Sequence, residues 1–146
     1  MMTFPVISFA VLASIYDIKT RKIPNALVLY MIGVWVLIVC VLLVVDINRA
    51  VGVLIDSGLG VLFGGGIFIL VYLISRNGLG GGDVKFMAAA GLYLGLGNTV
   101  ASIFCGTLLA AITAVILIIL KKITRKDKMP LAPFLLAGIL ITVILT

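Results

Sequence analysis

Ala26–Val45 reads ALVLYMIGVWVLIVCVLLVV, twenty residues in succession without a charge. An α-helix needs about 20 predominantly apolar residues to cross a bilayer, so this stretch by itself predicts a transmembrane span. The sequence around it has the same character. Of 146 residues 64% are apolar and only 11% are charged, whereas soluble domains carry about 25% charged residues. A water-soluble fold of this length could not hide so much apolar surface; lipid takes the place of water. The length suits a single membrane-embedded domain, residues 1–146.

Working outward, apolar runs separated by charge predict six spans: Met1–Tyr16, Ala26–Val45, about Leu59–Ser75, Val84–Gly97, Thr99–Leu120 and Leu131–Thr146. The expected fold is all-α, a bundle of six transmembrane helices. The fourth span is the shortest and is rich in small residues (Ala88, Ala89, Ala90, Gly91, Gly95), which suits the middle of a bundle where helices approach closely. Gly60 with Gly64, and Gly91 with Gly95, form two GxxxG pairs expected to pack helices within the bundle. Residues 46–58 read as an outer connection lying partly in the interface, because Ala50–Ile55 is apolar but too short to cross.

Charge predicts the orientation. No basic residue precedes the first apolar run, and Lys19, Arg21 and Lys22 follow it, the order of a first span that starts outside rather than of a cleaved signal. With the N-terminus outside, the cytosolic face receives those three with Arg76, Lys85, Lys121, Lys122, Arg125, Lys126 and Lys128, and the outer face only Arg49. This positive-inside bias predicts an N-out, C-out protein. The net charge of +6 therefore reads as an orientation signal and not as a nucleic-acid footprint.

The residue inventory narrows the chemistry. The sequence contains neither His nor Glu, which excludes a His-based triad and an imidazole metal site. Cys40 and Cys105 stand alone in apolar runs, as packing residues do. The carboxylates are Asp17, Asp46, Asp56, Asp83 and Asp127. Two spans separate Asp17 from Asp83, and an even number of crossings returns the chain to the same face, so both lie at the cytosolic ends of helices. Taken singly, Asp83 could cap the fourth helix, and Asp17 could pair with Lys19 or Arg21. As a pair they can divide one proton, because like charges a few ångströms apart resist double ionisation. One carboxylate then activates water, and the other hydrogen-bonds a carbonyl under attack. No metal or cofactor is required.

Gly80, Gly81 and Gly82 precede Asp83. Glycines can take backbone angles closed to other residues and admit a second backbone, such as an extended substrate peptide; an ordinary loop would serve equally well. Lys85 lies about 200° around a helix from Asp83, which favours snorkelling to the interface over substrate contact. Pro130 and Pro133 either bend or start the sixth helix near the site.

Three segments resemble the type IV prepilin peptidases, in the right order. Gly78-Leu79-Gly80-Gly81-Gly82-Asp83-Val84-Lys85 and the residues through Gly95 resemble that family's GxGD region. Asp17 followed by Ile23-Pro24-Asn25 resembles its other catalytic segment, and Met129-Pro130-Leu131-Ala132-Pro133-Phe134 its last-span Pro-x-x-Pro-Phe element. The resemblance implies cleavage of short, basic leader peptides from prepilins or pilin-like precursors at the cytosolic membrane face, after a glycine and just ahead of the precursor's apolar helix. Asp17 and Asp83 would be catalytic, Gly80, Gly81, Gly82 and Lys85 would meet the substrate, and no cofactor would be needed. The expected partners are the precursor and the lipid bilayer. The sequence resembles a short form lacking the family's N-terminal cysteine-rich cytosolic segment, and no S-adenosylmethionine site for methylating the new N-terminus is legible.

Two rivals are weaker. A presenilin-like intramembrane protease would carry its aspartates on adjacent spans. A small transporter or channel using the aspartates for cations or protons would break its helices near the bilayer midplane, whereas the glycine run here falls at the interface.

Overall fold

The computed structural model describes residues 3–20, 23–74, 80–121 and 130–145. Five helices account for them: α1 Thr3–Thr20, α2 Asn25–Val45, α3 Ile47–Ile74, α4 Gly81–Ile119 and α5 Ala132–Leu145. Three of these, α2, α3 and α4, are long and apolar enough to cross a membrane, and α5 is apolar but shorter. Large apolar side chains such as Phe4, Leu62 and Val44 lie exposed along the helices. Exposed apolar surface of this extent is the mark of a membrane protein, with lipid as the outer solvent.

α4 is the hub, packing against all four other helices. Its 39 residues do not form a straight rod. At Gly95 the backbone takes φ 68° and ψ −176°, a region essentially reserved for glycine. A Cβ built at Gly64 of α3 would lie 2.9 Å from the Met87 carbonyl oxygen and 3.0 Å from Thr99 Cγ2, so those two atoms are no more than about 6 Å apart. Twelve residues of straight helix span about 18 Å. α4 therefore folds back at Gly95, and its two arms lie side by side against α3. The division expected around Gly97–Thr99 falls at Gly95 instead, because Gly95 alone on α4 has positive φ and the Asp56 carboxylate closes over it. Asp56 Oδ1 accepts the Leu96 N–H at 3.0 Å, capping the restarted helix from another element.

Residues 46–58 are not the expected connection. Asp46 alone separates α2 from α3, and its Oδ1 accepts the Arg49 N–H at 3.1 Å as an N-cap. Helix then runs unbroken to Ile74, about 42 Å in all, and buries Ala50 and Ser57 on the way. The apolar run Ala50–Ile55 looked too short to cross because polar residues follow it, and these are working parts of the helix: Ser57 Oγ donates to the Leu92 carbonyl at 2.5 Å, and Asp56 holds the α4 turn.

The glycine pairs pack helices, as expected. A Cβ at Gly60 would come within 2.2 Å of the Gly91 carbonyl oxygen, and one at Gly91 within 2.4 Å of the Gly60 carbonyl oxygen, so the backbones of α3 and α4 touch directly. Gly106 and Gly138 do the same for α4 and α5. Around these contacts the core is filled by Met31, Phe86, Met87, Leu135 and Ile139. The small-residue arm of α4 occupies the middle of the bundle, where the sequence placed it.

Candidate active site

Asp17 lies on α1, which continues one turn beyond it to Thr20, so this carboxylate sits within a helix and not after its end. Asp83 is the third residue of α4. It is not the N-cap: Gly80 occupies that position in extended conformation (φ −75°, ψ 135°), and the Asp83 N–H bonds back to the Gly80 carbonyl at 3.0 Å. Both aspartates are buried, with 6% and 8% of their surface exposed. Asp17, Asp83, Asn25, Lys85, Ile23 and Gly80, Gly81 and Gly82 line one cleft of about 430 Å³. The fold thus brings two carboxylates 66 positions apart to the same opening. Asp46 and Asp56 line no part of the cleft. Asp127 and the basic residues Arg21, Lys22, Arg76, Lys122, Arg125, Lys126 and Lys128 lie outside the described residues, as do Gly78, Leu79 and Met129.

The two carboxylates have different surroundings. Asp17 Oδ2 accepts the backbone N–H of Ala132, the first residue of α5, at 3.0 Å. The first N–H groups of a helix have no partner within it, and the positive end of the helix dipole favours a carboxylate there. Pro130 and Pro133 flank this position and start the helix without bending it; Pro133 has no N–H to offer, which leaves Ala132 as the donor. Asp83 Oδ1, by contrast, is buried without a hydrogen-bond partner among the described residues. A buried polar oxygen in that state costs about 1–3 kcal/mol unless something joins it, and it is the natural place for a reacting group.

Each glycine has its own task. A Cβ at Gly80 would sit 3.1 Å from Asp83 Oδ2 and press on the carboxylate. One at Gly82 would sit 3.1 Å from Ile23 Cβ and 3.2 Å from its nitrogen, so Gly82 lets the segment before α2 close over α4. Gly81 faces open space. None of the three has positive φ; among the described residues Gly95 is the glycine that does. Close approach, not unusual backbone angles, explains Gly80 and Gly82.

Residues 4–119, which include both aspartates, match the family model of the type IV leader peptidase family. The chain belongs to that family. A prepilin leader peptidase/N-methyltransferase of Bacillus subtilis (strain 168) is 24% identical over 132 residues, covering 90% of this chain and 50% of that protein. The chain thus spans about half the length of the curated relative it matches. No solved structure matches it.

Against that family background, Lys85 corrects the expectation that it turns away. Its Nζ donates to Asn25 Oδ1 at 3.0 Å and it lines the cleft, because the first turn of α2 comes to meet it. Sequence reading missed Ala132 and the side-chain role of Asn25. A proline on either side of a helix start was a usable signal, since only Leu131 and Ala132 between them carry an N–H; nothing in the sequence paired either donor with Asp17. Among the described residues no three side chains of the types His, Cys, Asp and Glu converge as a metal site needs.

Proposed function

We propose that this chain is a membrane-embedded aspartyl endopeptidase that removes the leader peptide from type IV prepilin or pilin-like precursors at the cytosolic face of a prokaryotic cell membrane. The observation that carries the reading is the shared cleft: Asp17 and Asp83, each buried, come from distant segments to line one polar opening. Membership of the leader peptidase family and the likeness to the Bacillus prepilin leader peptidase/N-methyltransferase support it.

The chemistry follows from the pair. Two neighbouring carboxylates hold one proton between them; the ionised one takes a proton from water, and the protonated one donates to the scissile carbonyl as the tetrahedral species forms. Collapse of that species returns a proton to the leaving amine. Gly81, open on its Cβ side, offers a ledge for the extended peptide, and Gly80 keeps Asp83 unencumbered. Lys85, steadied by Asn25, stands at the rim where substrate carbonyls pass. In the membrane the reversal at Gly95 makes residues 81–119 two passes, giving six crossings. The basic residues then set the N- and C-termini outside and the cleft at the cytosolic face.

The test is co-expression with a pilin-like precursor, following its size on a gel. The wild type removes the leader, whereas Asp17→Asn and Asp83→Asn each leave the precursor full length, because an amide keeps the shape but cannot act as a base or share the proton. Normal processing by both variants would refute the catalytic assignment.

A further inference from the structure

We infer that the face of α2 between Ala26 and Leu37 is the berth for the apolar helix of the precursor, the segment that follows the scissile bond. This rests on the leader-peptidase reading above. A groove of about 610 Å³ runs along this face, lined by Ala26, Leu29, Tyr30, Gly33, Val34 and Leu37. These positions recur at i, i+3, i+4, i+7, i+8 and i+11, one stripe of a helix. Leu29, Tyr30 and Leu37 are 68%, 71% and 67% exposed, so no described part of this chain covers them.

Continuity with the cleft identifies the occupant. A second groove, of about 280 Å³, shares Ala26 and Tyr30 with the first and extends to Tyr16 and Pro24. Those residues adjoin Asp17 and Asn25 of the catalytic cleft. Asn25 of the polar cleft thus lies between Pro24 and Ala26 of the uncharged groove along α2, an order that matches a substrate whose polar cleavage site is followed at once by an apolar helix. From Ala26 to Leu37 the stripe covers about 16 Å, half the hydrocarbon core. At its centre is Gly33, where an added Cβ would meet nothing within 4 Å and another helix can approach the backbone. Lipid chains can fill the same space, but a helix tethered to a peptide already in the cleft competes at a high effective concentration.

The test sets Gly33→Phe in the full chain, reconstituted in membranes, against two substrates. One is the membrane-inserted precursor; the other is a soluble peptide with the same leader and scissile bond that ends before the apolar helix. The open space at Gly33 leaves the bundle itself unstrained. The expected result is cleavage of the precursor slowed by about tenfold or more, with cleavage of the peptide unchanged. Gly66→Phe, at another open glycine on α3, leaves both unchanged. Undiminished cleavage of the precursor would overturn the inference and leave the groove to lipid. Equal loss on both substrates would overturn it as well, and so would a changed oligomeric state, which would assign the face to a second copy. A wild type that cuts neither substrate overturns the leader-peptidase reading instead.

Discussion

Replacing Gly95 by alanine tests the turn that makes α4 two arms. Two costs arise at once. The backbone at φ 68° and ψ −176° is closed to a residue with a side chain, at about 1–3 kcal/mol. The new Cβ would also fall 1.9 Å from Asp56 Oδ2, forcing that carboxylate off the Leu96 N–H it caps. Losing such a cap costs about 1 kcal/mol. Gly95→Ala should therefore destabilise the protein by about 2–4 kcal/mol, and Asp56→Ala alone by about 1 kcal/mol. In the double variant the carboxylate has already gone, so only the backbone strain remains and the total falls short of additivity by about 1 kcal/mol. Reversible unfolding in mixed detergent micelles, followed by helical circular dichroism, measures all three. A Gly95→Ala protein as stable as the wild type, or strict additivity in the pair, would refute the account of the turn.

Two further outcomes bear on the site. Ala132→Pro removes the N–H that Asp17 accepts, yet proline suits the first turn of a helix, so leader removal should fall about tenfold while helix content holds; unchanged activity would show that this hydrogen bond plays no part in positioning Asp17. Lys85→Met and Asn25→Ala should each raise KM more than they lower kcat, and the double variant should be no worse than either alone, since one contact is lost each time; additive losses in steady-state peptide cleavage would separate the two residues.

Much of the architecture was legible because bilayer physics writes it in composition. Uncharged runs such as Ala26–Val45 became helices, and Gly60 and Gly91 declared their packing by lacking side chains. Asp17 and Asp83 stood out because carboxylates are rare in such a chain, and counting spans placed them together. What escaped were contacts between distant elements. Asp56 looked like a loop residue because its partner, the Leu96 N–H, is freed only when Gly95 turns. Lys85 was assigned by its angle on its own helix, but the first turn of α2 decides where it lies. Likewise, a residue pattern shows that α5 starts near Ala132, but not whose oxygen receives its first N–H.

The tie between Asp17 and Ala132 spans 115 positions of chain. During synthesis, the first aspartate enters the membrane long before its donor exists. On the leader-peptidase reading, a half-made copy holds neither a seated carboxylate nor a finished cleft, even though precursors already surround it. On that reading, competence to cut waits on the arrival of α5, and proteolysis is coupled to its insertion.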